Sequence, residues 1–597
     1  MKQIYFIIFF LLAISVFGAE FYVDSESGND TNTGTTPVLA WKSLKAVNNA
    51  DLKPGDTVRF KRGGLWRGQL VPKSGNENQP IVYTSYGDSS NEKPKLLGSV
   101  PLNKPADWIS EGNHLWSTRP DTIHIGNAVA CFTDLVWRLH QENKAKVEQK
   151  IVAPPPQYAG KKEYQIVCSA TCNASNHIQF IVAGFPVEAE KYYLLRFAAK
   201  TTKPFSITTA AFSEPDSPWA GLGNAVRLPV TIGSEWTEQE ILFCCKKNYG
   251  NARFTISLGK DLPQDGEFSF IPLELCEAIV ESNGINTDVG NIILNGNTAG
   301  FKKWTRENLK TQDDFWYDMK TNRVFFFSNE NPAILYKNIE AALYRHIVLH
   351  NCIRYVHFID FDVRYGAAHG FGGTKAEHCV YRDLNISWIG GADQYREGGE
   401  GRKVRFGNGI EFWSDAADCL VENCRIWEIY DAALTNQGNG INQQRNIIYR
   451  NNIIWNCEYS FEYWNREEES VTDNILFENN ICFNAGFGWG HIQRPDKNGR
   501  HLMVYANTAK TGNFIIRNNI FCNATESCVR FDADFRNGLT MENNIYWQES
   551  DKPVFQWFKD QYKADRFVDY QNDVGLDKNS KLQKRSISII SLSEQNK

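Results

Sequence analysis

Val421-Glu422-Asn423-Cys424-Arg425-Ile426-Trp427, Tyr449-Arg450-Asn451-Asn452-Ile453-Ile454-Trp455 and Phe477-Glu478-Asn479-Asn480-Ile481-Cys482-Phe483 are copies of one short unit. The unit returns around Asn518 and Asn543, and Asp360 and Asp383 hold the same place in weaker copies upstream. From Asp360 the spacings are 23, 40, 28, 28, 39 and 25 residues. A β-rich unit of this length cannot close a core alone; stacked copies bury one continuous core. A leucine-rich repeat has a similar period but needs a Leu framework that is missing. The pattern predicts a parallel β-helix with three short strands per coil. The Asn sits at one turn, where it tolerates left-handed backbone and bonds to neighbouring coils as a ladder.

These coils resemble the right-handed parallel β-helix, or pectate-lyase-like, superfamily. So does the N-terminal stretch Phe21-Tyr22-Val23-Asp24, Gly28-Asn29-Asp30 and Trp41-Lys42-Ser43-Leu44, followed by Pro54-Gly55-Asp56-Thr57-Val58. The resemblance implies a secreted enzyme acting on polysaccharides; it is specific for fold and weak for reaction, because folds host many chemistries. From about Thr133 to Glu277 the Asn units vanish. Alternating strands such as Tyr192–Lys200, separated by turn clusters such as Ser213–Pro218, predict an inserted antiparallel sandwich. Its order of pieces resembles jelly-roll carbohydrate-binding modules, with Trp219 and Trp236 as candidate sugar platforms. The expected fold is therefore all-β: a signal peptide at 1–19, β-helix at 20–132, the sandwich at 133–277 and a lead-in at 278–345. The main β-helix follows at 346–577, and a tail or cap at 578–597.

Composition bounds the function. The 597-residue chain carries 64 Lys+Arg against 69 Asp+Glu, a net charge of −5, which argues against a nucleic-acid partner. Lys2, the apolar stretch Ile4–Val16 and Phe17-Gly18-Ala19 read as a signal peptide, giving a secreted or periplasmic protein with no membrane span after cleavage. Of the 14 Cys, Cys379, Cys419, Cys457, Cys482 and Cys522 sit among apolar strand residues as core fillers. Cys168/Cys172 and Cys244/Cys245 could pair.

Counting from the Asn turns stacks Gly409–Ser414, Ala432–Gln437, Ser460–Asn465, Trp489–Arg494 and Val529–Asp532 as strands of one wall. With period 2, one outer face then collects Glu411, Trp413, Asn436, Glu462, Trp464, Arg530 and Asp532. Carboxylates, amides and tryptophans are the groups that bind hydroxyls and stack on sugar rings. Long inserts at residues 391–408 and 495–512, the second carrying Arg500, border this wall and would enclose a groove.

Glycoside hydrolysis needs two carboxyl groups flanking the scissile bond. Glu462 paired with Asp431 or Glu411 is the candidate, with Asp415 as a further carboxylate and His491 as a possible acid/base. Gln437, His369, Arg466, Gln493 and Arg494 complete the expected substrate contacts. No cofactor is required by this chemistry; Glu467-Glu468-Glu469 is the one stretch where calcium ligation competes with a solvated turn. A glycoside hydrolase on a poly- or oligosaccharide leads. A uronate lyase and a non-catalytic glycan-binding β-helix are the alternatives.

Overall fold

A computed structural model describes residues 18–129, 132–226, 228–395, 404–532, 534, 536–549 and 551–583. The signal-peptide reading of residues 1–17 and most of the tail reading at 584–597 fall outside these. Contacts divide the chain into two units, Pro120–Asn283 and the remainder, Met1–Arg119 with Gly284–Lys597.

The larger unit holds a parallel β-helix. Its three walls among the described residues are sheets of ten, ten and nine strands, parallel and built from the same strand of successive coils, except that the nine-stranded wall ends in the antiparallel pair Pro553–Trp557 and Asp560–Lys563. One core runs through them, with Phe358, Tyr381, Phe412, Tyr449, Phe461, Phe477, Phe521 and Tyr546 all buried. The Asn turn divides its labour between two residues. The first, at Asn423, Asn451, Asn479, Asn518 and Asn543, has φ between 55° and 57°, as do the Asp residues upstream at 56° (Asp383) and 65° (Asp360). The second is the ladder. Asn452 Nδ2 donates to Asn480 Oδ1 at 3.0 Å, Asn480 to Asn519 at 3.1 Å and Asn519 to Asn544 at 3.1 Å, all fully buried. Each ladder oxygen also accepts a backbone N–H from the preceding coil, so buried turn donors are satisfied.

Three expectations need correction. Strands Ser99–Pro101, Trp108–Gly112 and Leu115–Thr118 leave the β-helix and pair instead with strands between Val289 and Leu343, building two small sheets over a separate apolar cluster. The inserted unit is wider than 133–277, because strand Thr122–Ala128 pairs with Gly266–Glu281. Finally, Cys168, Cys172, Cys244 and Cys245 are all free thiols.

The inserted unit is an antiparallel β-sandwich in which an 11-stranded sheet surrounds an aromatic core of Trp137, Phe180, Phe212, Phe254 and Phe270. Trp219 is exposed, whereas the Trp236 ring is partly covered by Lys200 and Tyr158. Among the described residues no helix is long and apolar enough to cross a membrane.

Candidate active site

The nine-stranded wall carries a cavity of about 630 Å³. Strands Ile410–Trp413, Ala432–Gly438 and Tyr459–Asn465 lie side by side, pairing Glu411 with Thr435 and Thr435 with Glu462. One step of the pleat further on, Trp413, Gln437 and Trp464 align in the same way. The outward stripe thus brings Glu411, Trp413, Gln437, Glu462 and Trp464 to one face, and all five line the cavity. The two tryptophans meet edge to face, with centroids 5.3 Å apart.

Both long inserts form walls. Strands Ala392–Asp393 and Arg405–Phe406 pair as the base of the first, and Gln394, Val404, Arg405, Phe406 and Asn408 face the cavity. Arg396, Arg402 and Lys403 of this insert lie outside the described residues. Where the insert rejoins the coil, Gly407 crosses Gly390 so closely that a Cβ would sit 2.2 Å from the Gly390 Cα. That crossing positions Asn408, and the Gly407 carbonyl accepts the Asp431 N–H. Pro495, Asp496 and Tyr505 line the cavity from the second insert.

Three acids converge here. Glu462 is buried beside Gln437, whose Nε2 donates to Oε2 at 2.5 Å. Burial, reinforced by the nearby Asp431 and Glu411 and opposed by Arg494, pushes the Glu462 carboxyl well above the usual carboxylate range. Glu411 is raised to about 7, chiefly by burial, with Asn408 opposing and Asp431 adding. Asp431, at the turn leading into Ala432–Gly438, is also raised by burial, but Arg494 opposes this from 3.0 Å. Arg494 is buried; its Nη1 also donates to the Tyr430 carbonyl and its Nε lies 3.8 Å from buried Glu458.

His369 lines the cavity beside Glu411, with Nε2 3.1 Å from Oε2. Its Nδ1 accepts the Asn408 N–H at 2.9 Å, so Nε2 carries the ring proton. Burial, with His346 and His350 adding, holds the ring neutral. Among the cavity residues that escaped the sequence reading are Asn408 and His346, which stacks on His369 at 4.9 Å. His346 precedes His369 by the same 23 residues that separate Asp360 from Asp383, a signal that was available.

Several expected site residues lie elsewhere. Asn436 points inward, aligned with Phe412 and Tyr463, and bonds Gln444 and Tyr449 in the core. Trp489–Gln493 is a short helix, and the strand of that coil is Arg500–Val504. His491 consequently bonds buried Glu458 at 2.9 Å, outside the cavity lining. Gln493 bridges Arg405, Lys302 and Gly300. Arg500 is buried against Ser527 and Asn498. Arg530 and Asp532 pair with each other at 2.8 Å, and exposed Arg466 packs over the Trp464 ring. None of these lines the cavity. Asp415 accepts the Gln443 N–H, also away from it. Among the described residues no group of three or more His, Cys, Asp or Glu is arranged to hold a metal ion.

No family model matches the chain. A stretch is 39% identical over 107 residues to the lacto-N-biosidase of Bifidobacterium longum, covering 16% of this chain and 7% of that protein. Among solved structures, a GH136 lacto-N-biosidase from Eubacterium ramulus aligns over 95% of this chain and 68% of its own, at 11% identity and TM-score 0.32. A CBM4 carbohydrate-binding module aligns over 24% of this chain and 86% of its own, at 15% identity and TM-score 0.19.

Proposed function

We propose that the protein is an exported glycoside hydrolase that cleaves an oligo- or polysaccharide in the cavity of the nine-stranded wall. The observation that carries this reading is the convergence of Glu411, Asp431 and Glu462 on one cavity beside Trp413 and Trp464. Glu462, kept protonated by burial and neighbouring acids, is the general acid: it gives its proton to the glycosidic oxygen as the bond to the anomeric carbon breaks. Glu411 is the base: it takes a proton from the water whose oxygen forms the new bond to that carbon. Asp431, paired with Arg494, is the fixed negative charge that favours the cationic transition state.

Glu411 and Glu462 stand two strands apart, roughly 9–10 Å at the backbone, a spacing that leaves room for a water and suits inversion. The name of the matched Bifidobacterium protein, a lacto-N-biosidase, agrees with an oligosaccharide substrate. Among the described residues, the two arginines that line the cavity are committed to protein partners: Arg494 to Asp431 and a carbonyl, Arg405 to the Gly391 and Gly290 carbonyls and Gln493. That leaves neither free to neutralise a uronate, which favours hydrolysis over elimination.

The test is digestion of a panel of defined glycans followed by mass spectrometry. Products heavier by one water support hydrolysis. Unsaturated, ultraviolet-absorbing ends would establish a lyase, and an untouched panel with measurable glycan binding would establish a binding protein.

A further inference from the structure

Glu411 is gripped on one side only. Asn408 Nδ2 donates to Oε2 at 2.8 Å, and His369 Nε2 stands 3.1 Å from the same oxygen. Oε1 has no hydrogen-bond partner among the described residues and belongs to a side chain that lines the cavity. Asn408 also orients the histidine. Its own N–H occupies Nδ1, which forces the proton onto Nε2, and its Oδ1 accepts the Ala432 N–H at 3.0 Å, tying it to the next coil. His346 stacks on the imidazole with an 8° interplanar angle. On the inner side of the wall, His350 Nε2 bonds the Glu411 carbonyl at 2.8 Å and fixes the backbone beneath.

From these contacts we propose that Asn408 and neutral His369 are positioning residues, a clamp in which Asn408 donates to Glu411 while the Nε2–H dipole of His369 stands against the same oxygen, keeping Glu411 an acceptor and turning its other oxygen towards the cavity. The proposal rests on the hydrolase reading for its catalytic meaning, since an acceptor carboxylate is what a water-activating base must be. It also assigns His369 a role other than substrate contact or proton transfer: a ring held neutral, with one nitrogen occupied by a backbone N–H, presents a fixed N–H dipole beside Glu411. The other charged or titratable groups around Glu411 among the described residues are His346 from two coils before it, Asp431 and Glu462 from the coils after it, Arg494 at the end of the Trp489–Gln493 helix, and Arg405 and Asp496 from the two inserts. Asp431 opposes ionisation of Glu411, and Asn408 favours it.

The experiment follows the Glu411 carboxyl by ¹³C NMR in the full chain carrying ¹³C-labelled glutamate, with Glu411→Gln identifying the resonance. Wild type is compared with His369→Ala, His369→Gln and Asn408→Asp, and kcat/KM is measured against pH for each. Gln keeps a donor near the position of Nε2, so its titration midpoint should stay within a few tenths of wild type. Ala, and Asp at 408, remove a donor and should raise the midpoint by about one pH unit, moving the acid limb of kcat/KM with it. An unmoved midpoint in both donor-removing variants overturns the clamp, as does a Gln variant that shifts as far as Ala. Asn408→Asp preserves the acceptor for Ala432, so it remains informative if His369→Ala does not fold. The titration needs no turnover: a shifted midpoint in a chain that hydrolyses nothing keeps the clamp and discards the hydrolase, and an active enzyme with an unmoved midpoint does the reverse.

Discussion

Replacing Glu411 by Gln should make the protein more stable at neutral pH and leave its stability in acid unchanged. Burial and neighbouring charge raise the carboxyl from an ordinary 4.5 to about 7. The folded protein therefore binds this proton more tightly than the unfolded chain does. Between about pH 4.5 and 7 the unfolded chain releases a proton that the fold retains, so Glu411's contribution to stability falls as pH rises through that window and is level above it. The difference corresponds to about 3 kcal/mol at pH 7 and above. Gln is close in shape, stays neutral, and can still accept from Asn408 Nδ2 through its amide oxygen. The variant should thus gain up to about 3 kcal/mol over wild type at pH 7.5 and nothing at pH 4. Chemical denaturation followed by the tryptophan signal at several pH values measures this. A variant no more stable than wild type at pH 7.5, or a gain that is the same at pH 4, would refute the claim that Glu411 is an acid strained by its surroundings.

Other outcomes follow from the same geometry. ¹H NMR of the first-formed product should show an inverted anomeric centre, given the two-strand separation of Glu411 and Glu462; a retained anomer would place the nucleophile elsewhere. Trp464→Ala removes a cavity wall and the edge-to-face partner of Trp413, so KM should rise about tenfold, ~1.4 kcal/mol, with a smaller change in kcat. Asn480→Ala cuts the ladder, leaving the Asn452 N–H and Nδ2 without their acceptor and the Asn519 Oδ1 with the residue 480 N–H alone. Unfolding by denaturant should show a loss of about 3–5 kcal/mol, and a loss under 1 kcal/mol would deny the ladder its structural weight.

How much of this was legible in the sequence depended on whether a local pattern or a distant contact decided each residue. The Asn pairs announced the coils because both halves of the turn demand that side chain: one for left-handed backbone, one for the buried ladder. The stripe of Glu411, Trp413, Glu462 and Trp464 followed from period 2 once those turns were placed. Asn436 was misread because Ala432-Ala433-Leu434 has no alternation to set the phase, and its polar group finds Gln444 and Tyr449 inside the core. Trp489–Gln493 was misread because tertiary contacts shape it. Glu428 accepts the Trp489 N–H, its carbonyl accepts the Trp489 indole N–H, and a Cβ at Gly488 would lie 2.0 Å from the Asn456 carbonyl. Asn408 carried no local signal, since its importance comes from His369, Glu411 and Ala432 meeting around it.

The most direct test of the central claim is the Glu462→Gln variant on whichever glycan the wild type cleaves. Gln keeps the shape and the Gln437 contact region but has no proton to give. If Glu462 is the general acid, kcat should fall by about 10²–10⁴-fold while calorimetric affinity for the intact glycan stays within a few-fold of wild type. Turnover at the wild-type rate would contradict the account, leaving Glu411, Asp431 and Glu462 without the parts assigned to them.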